Sequence, residues 1–231
     1  MSKTHTIRKG LNLPLVGAPS AQVDEAPLST SFALNPEEFT GLSPKLALKE
    51  GDAIQAGQCI FYDKKDARIQ ITSPVSGKVK QIVRGEKRRL IEVILEADAT
   101  TTYHNYGKGM PSNAEEAKDK LLNSGAWTVL EMRPYGRLAN PDDQPKAIFV
   151  NGMATAPFAT EASVALAGKE EAFAAGLEVL QLLAPKTVLS LEVSESFPAL
   201  TQAKGVEIHR FQGKHPAGNT SVQDRKSTRL N

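Results

Sequence analysis

The side chains able to do chemistry in this sequence are few and scattered. The single cysteine, Cys59, lies in the apolar stretch Cys59-Ile60-Phe61-Tyr62 with no histidine close by. A thiol nucleophile needs a neighbouring base or cation to form its thiolate, so Cys59 reads first as a buried structural thiol. One cysteine also excludes an internal disulfide framework, a CxxC pair and an iron–sulfur cluster held by four thiolates of this chain. The histidines, His5, His104, His209 and His215, are widely separated and lack H-x-x-x-H-type spacing, so no metal site is expected. A dinucleotide fold would place G-x-G-x-x-G straight after its first strand. Here the corresponding stretch, Asn151-Gly152-Met153-Ala154-Thr155-Ala156-Pro157, holds one glycine, and no Walker A sequence occurs.

Two loops remain as candidates. Gly213-Lys214-His215-Pro216-Ala217-Gly218-Asn219 follows a predicted parallel strand. Open α/β sheets bind ligands outside the carboxyl ends of such strands, which makes Lys214, His215, Pro216 and Asn219 the contact candidates; a rigid surface turn is the plainer account. The run Arg84-Gly85-Glu86-Lys87-Arg88-Arg89 could grip phosphate or acidic head groups, although a solvated hairpin end is the commoner role of such a run.

The elements that must position these loops fall into two patterns. On 231 residues, 40% apolar and 23% charged, a real core can form. From about Leu42 to Glu96 the pattern is β. Lys49-Glu50-Gly51-Asp52 and Ser73-Pro74-Val75-Ser76-Gly77 are turns, and Ile69 and Ile71 alternate with polar neighbours. Short strands at this spacing predict a small barrel or flattened sandwich. After a linker, Ser112 to Glu115 predicts a capping box opening a helix to about Asn123, with Gly125 as the residue past its end. Arg133 to Pro145 reads as loop. In the last third, Ala147 to Val150 reads as a buried parallel strand. Lys169 to Ala184 follows as a helix with Phe173, Leu177, Leu180 and Ala184 on one stripe, then Thr187 to Leu191 as a strand, Ser196 to Ala203 as a short helix, and Val206 to His209 as a third strand. That alternation predicts a three-layer α/β unit.

Aromatic residues make up 6% of the chain, too few for base-stacking platforms. The formal charge of +2 comes wholly from the last eight residues, where Arg225, Lys226 and Arg229 outnumber Asp224; the remainder is neutral. Nucleic acid is therefore not an expected partner. Met1 to Gly10 has no apolar signal region and no run of 18 apolar residues occurs, which predicts a soluble protein of the cell or organelle interior.

The β segment resembles biotinyl and lipoyl carrier domains through K-E-G-D-x-I-x-x-G-Q (Lys49 to Gln58) and S-P-V-S-G-K-V (Ser73 to Val79). Such carriers hold a modified lysine at a hairpin tip. The matching position here is Asp66, with Lys65 one residue away, so the resemblance implies the carrier fold without a modified lysine.

Further motifs occur in order: Ile7 to Pro19 (I-R-K-G-L-N-L-P-L-V-G-A-P), Arg84 to Arg88, Ser124 to Thr128 (S-G-A-W-T), Arg133 to Tyr135, Ile148 to Pro157, and Gly213 to Asn219. Together these resemble the A-subunit family of the bacterial sodium-translocating NADH:quinone reductase, over about residues 5 to 222. The resemblance implies a peripheral subunit on the cytoplasmic face of the bacterial inner membrane, with five partner subunits. The complex passes electrons from NADH to ubiquinone through flavins and an iron–sulfur centre, and exports sodium. It also makes Lys214, His215, Pro216 and Asn219 candidates for contact with quinone or a partner subunit.

Relatives of this family cradle a flavin phosphate with a G-R-G-G-A-G-F-P-type loop. The corresponding stretch around Arg133 to Leu138 lacks that glycine cluster, so no flavin is expected on this chain, as no NAD is expected from the absent G-x-G-x-x-G and no metal from the histidine spacing. The implied fold is mixed α+β and α/β, a biotinyl/lipoyl-like barrel-sandwich hybrid followed by a Rossmann-like βαβαβ unit. Its expected organisation is an N-terminal arm (1–40), the β domain (41–98), a linker with a helix (99–146) and an incomplete α/β domain (147–222). Residues 223–231 read as a disordered or foreign tail replacing further domains of the family. The alternatives are an unmodified carrier or interaction module, and an independent NADH- or flavin-dependent oxidoreductase.

Overall fold

The structure, a computed structural model, describes residues 3–27 and 29–228. The chain forms two compact units, one of Ala26–Asp143 and one that joins Met1–Glu25 to Gln144–Asn231. The first forty residues are therefore not one arm. Strand β1 (Lys3–Ile7) adds to the α/β sheet, whereas β2 (Ser31–Leu34) adds to the sandwich. Each is short and gains its stability by pairing with a strand far away in sequence, which local patterning does not reveal.

In the sandwich unit, β3 (Pro44–Leu46), β4 (Ala53–Ile54), β5 (Cys59–Asp63), β6 (Gln70–Thr72), β7 (Gly77–Arg84) and β8 (Leu90–Ala97) follow the predicted turns. One sheet has the order β2-β8-β7-β4 and the other β3-β5-β6, with antiparallel pairs throughout. Gly51 sits at φ +86° in the Lys49–Asp52 turn, the left-handed conformation for which glycine is suited. Alternation along the strands sends Ile54, Phe61, Ile71, Val79, Val93 and Leu95 inward to one shared core, and a register shift between Cys59 and Phe61 lets the adjacent Ile60 join it.

Residues 99–143 are not a free linker. The backbone N–H of Ala56 donates to Thr102 O and that of His104 to Ala56 O, laying this stretch along the sandwich. Helix α1 (Ala114–Asn123) then forms, but its cap is shifted by one residue from expectation. Asn113 accepts from Glu116 N, and Glu116 reaches back to the N–H and hydroxyl of Ser112. Both asparagine and serine can cap; the tertiary path of the chain chose between neighbours. Gly125 does follow the helix at φ +75°. Trp127 is buried and donates its indole N–H to Ala139 O at 2.8 Å. Glu131 to Leu138 is a hairpin of β9 (Glu131–Met132) and β10 (Arg137–Leu138), so the start of the stretch expected to be loop is ordered.

The α/β unit contains β11 (Ile148–Asn151), α2 (Ala162–Ala165), α3 (Glu170–Leu183), β12 (Thr187–Glu192), α4 (Pro198–Thr201), β13 (Glu207–Gly213) and α5 (Thr220–Thr228). Its sheet is parallel, in the order β1-β13-β12-β11. The expected three strands thus gain a fourth from the N-terminus. The order also corrects one expectation: β11 lies at an edge and is half-buried, while β12 is the strand buried at every position from Thr187 to Leu191. Leu189, Leu191 and Leu200 pack with Phe173, Phe197 and Ile208 in one cluster. Phe211 and Ile7 pack with Met153 and Ala217 in another. Ile208 and Phe211 project to opposite faces of β13, so both faces of the sheet are covered.

Helix α5 revises the tail reading. Residues through Thr228 are helical, and Gln223 and Ser227, one turn apart, are buried at 1% and 7% exposure. Gln223 donates to Ala217 O, and Ser227 Oγ lies 3.1 Å from His209 Nδ1. The buried face is polar, so a search for apolar periodicity passes over it. The tail reading from residue 229 onward lies outside the described residues.

Candidate functional site

Because the sheet is parallel, the carboxyl ends of β1, β11 and β13 lie at the same end. Ile7 pairs with Gly213, and the loops following these three strands converge. The tie points are specific. Leu11 N donates to His215 O at 2.9 Å, and His215 N donates to Asn12 Oδ1 at 3.0 Å. From the loop after β11, Thr155 Oγ1 accepts from Gly218 N at 2.9 Å and lies 3.2 Å from His215 Nδ1. Asn151 Nδ2 donates to Gly218 O at 2.8 Å while its Oδ1 accepts from Met153 N. A Cβ on Gly10 would overlap the His215 carbonyl oxygen, so this close approach of two backbones requires glycine.

The four singled-out residues have different settings in this cluster. Lys214 and Asn219 are exposed, and His215 and Pro216 are half-buried. Asn219 O receives the N–H groups of Val222 and Gln223 and so starts α5. Pro216 lines an open groove of about 680 Å³ whose charged walls are Arg8, Lys9, Arg225 and Lys226. The groove can attract anionic groups. The segment that leaves β1 exposes Leu11 by 69%, Leu13 by 60%, Leu15 by 52% and Val16 completely. Apolar side chains presented together in this way, beside a positive groove, form a surface suited to a partner.

Sequence spacing missed a histidine pair. Pairing of β1 with β13 brings His5 Nε2 within 3.2 Å of His209 Nδ1, although the two are 204 residues apart. His209 is 1% exposed, with Glu207 Oε2 3.4 Å from its Nε2 and Lys186 ion-paired to Glu207 at 2.8 Å. His5 stacks on Phe211. Burial holds both imidazoles below the usual histidine range; Lys3 adds to this for His5, while Glu207 partly offsets it for His209. Among the described residues, no three histidine, cysteine, aspartate or glutamate side chains converge as metal ligands.

The hairpin tip of the sandwich is tied by an ion-paired carboxylate. Asp66 accepts from Arg68 Nε and Nη2, and Arg68 Nη2 also reaches Asp142 at 2.9 Å. The hydrogen bonds from Arg68 hold the Asp66 carboxyl below its usual range. Lys65, exposed beside it, is fixed through its backbone N–H to Asp63. Cys59 is partly buried, its thiol pushed up to about 11 by desolvation, with Phe61 O as its acceptor. A thiol in that state is a poor nucleophile at neutral pH. The hairpin at Arg133 to Leu138 presents Tyr135 to solvent, with the Arg137 guanidinium 5.1 Å from its ring centre. No described helix is long and apolar enough to cross a membrane.

Comparison with known proteins finds the same two kinds of domain, with boundaries that differ from those of the compact units: residues 5–25 and 112–143 fall in the opposite match. Residues 5–98 match the family described as the NqrA N-terminal barrel-sandwich hybrid domain, and residues 112–229 match the NqrA second alpha/beta domain. The chain is 39% identical over 217 residues to the A subunit of the Na(+)-translocating NADH-quinone reductase of Aliivibrio salmonicida, covering 92% of this chain and 48% of that protein. The corresponding A subunits from Neisseria meningitidis serogroup A (38%) and Photorhabdus laumondii (37%) match over the same shares. The chain therefore spans about half the length of the curated relatives it matches. With both domain types present in order and this level of identity along nearly its whole length, the chain belongs to the NqrA family and is similar to relatives named as A subunits of the Na(+)-translocating NADH-quinone reductase.

Proposed function

We propose that this protein serves as the peripheral A subunit of a sodium-translocating NADH:quinone reductase, on the cytoplasmic face of the bacterial inner membrane with five partner subunits. The complex oxidises NADH, reduces ubiquinone to ubiquinol and exports sodium. The observation that carries the reading is the match of both domains, in order, to subunits bearing that name. Within the complex this chain docks and positions; NADH, flavin and iron–sulfur chemistry reside on other subunits. Its contact surface toward quinone or a membrane-embedded partner is the cluster at the carboxyl ends of β1, β11 and β13. The exposed Leu11, Leu13, Leu15 and Val16 and the basic groove beside Pro216 support that assignment. Lys214, His215 and Asn219 stand on the loop that the cluster immobilises.

Deletion of the gene should abolish sodium-dependent quinone reductase activity in membranes, and the full-length product should co-purify with the other subunits. In the full-length protein, His215→Ala should lower quinone reduction more than electron entry from NADH. Equal loss of both would point to misassembly and remove the loop from the quinone side. NADH oxidation by the isolated chain at rates resembling the complex would overturn the docking role. The carrier alternative needs an amine at position 66, where Asp66 is an ion-paired carboxylate.

A further inference from the structure

The sandwich unit carries a basic groove of its own, built from residues other than those of the loop cluster. Its walls come from β3 and from the tip joining β7 to β8, and it encloses about 460 Å³. Lys45, Arg84, Arg88 and Arg89 line it over an apolar floor that includes Leu46 and Leu90, and none of its lining residues is acidic. A cleft with one sign of charge over low-dielectric walls concentrates the field inside it. The tip is built with backbone strain: Lys87 and Arg88 sit at φ +53° and +60°, consecutive left-handed positions without a glycine. Such conformations are costly and persist where the surrounding structure enforces them, frequently at binding sites. Here the enforcing bonds are Gly85 N to Arg89 O and Arg89 N to Glu86 O.

Two of the guanidinium groups, those of Arg84 and Arg89, have fixed contacts. Arg84 Nη1 donates to Arg88 O at 3.1 Å, which fixes Arg84 and leaves its remaining N–H donors unspent by that bond. Arg89 pairs with Glu37 at 2.8 Å, anchoring the outer wall. Lys45 lies over the Tyr62 ring, 5.6 Å from its centre. Guanidinium forks and an ammonium around one cleft match the oxygens of a phosphate group better than those of a single carboxylate.

We infer that this groove binds a phosphate group through Lys45, Arg84 and Arg88, with Arg89 closing one side. The phosphate can belong to an anionic phospholipid head group or to a soluble phosphate compound, and the test separates these sources. The purified full chain is titrated with inorganic pyrophosphate at low ionic strength by calorimetry. In parallel it is sedimented with phosphatidylcholine vesicles with and without phosphatidylglycerol. Binding in either assay that falls at least tenfold in Arg84→Gln and Arg88→Gln supports the site, and the assay that responds identifies the source. Lys64→Gln with Lys65→Gln, on the other exposed hairpin tip, should leave binding unchanged. Should Arg84→Gln impair folding, judged by its melting curve, Arg88→Lys keeps the charge without the planar fork and should bind several-fold more weakly. Absence of binding in both assays by the folded chain, or equal weakening by the Lys64/Lys65 variant, would overturn the proposal.

Discussion

Thr155→Val tests the loop cluster with the smallest change of shape. Valine keeps the β-branched outline and removes the hydroxyl. The native Oγ1 accepts from Gly218 N and bonds His215 Nδ1, and Gly218 is buried. A buried N–H left without an acceptor costs about 1–3 kcal/mol, and the second bond contributes about 1 kcal/mol. Partial access of water to the His215 side lowers the sum, so a loss of roughly 2–3 kcal/mol is expected. For a unit of this size that is on the order of 10 °C in melting temperature. Amide hydrogen exchange reads the effect locally: peptides spanning residues 213–219 should lose protection, while those of the sandwich core around Phe61 and Val93 should not change. Thr155→Ser retains the hydroxyl and should keep most of the protection. Thr155→Val with native melting and native exchange at Gly218 would refute the reasoning, because the loop would then be held by something other than this hydroxyl.

The histidine pair predicts a pH dependence. Both imidazoles are depressed in the folded state, so the unfolded chain binds more protons below the ordinary histidine value near 6.5. The stability they permit is complete above about pH 6.5 and is lost as pH falls from there toward the folded values; melting of the α/β unit between pH 7.5 and 5 should show this slope, and His209→Gln should flatten it. Phe211→Ala, at a side chain with no exposure, should cost about 3–5 kcal/mol in denaturant unfolding, whereas Tyr135→Ala on an exposed hairpin should stay within about 0.5 kcal/mol. Cys59, with its thiol raised to about 11, should alkylate far more slowly at pH 8 in the folded chain than in denaturant; equal rates would show that the site is open.

The sequence by itself determined the local elements and their kind. Gly51 and Gly125 marked positions that need positive φ, and Phe173, Leu177 and Leu180 of the expected stripe marked the inward face of α3, whereas Ala184 is the extended residue just past its end. These signals rest on interactions within a few residues, so composition and spacing carry them. The ordered motifs carried the family as well. What only the tertiary structure decided was pairing across long separations. Lys3–Ile7 has no local feature that selects β13 as its neighbour, yet that pairing adds the sheet's fourth strand, joins His5 to His209 and brings Gly10 and Asn12 to the His215 loop. Which strand is central was equally hidden: the apolar runs at β11 and β12 look alike, and sheet order alone leaves β11 at the edge. Helix α5 escaped because its buried face is Gln223 and Ser227, whose burial is stabilised by hydrogen bonds to partners outside the helix rather than by hydrophobic periodicity. A candidate site made of three loops from distant parts of the chain exists only once a parallel sheet has brought their ends together.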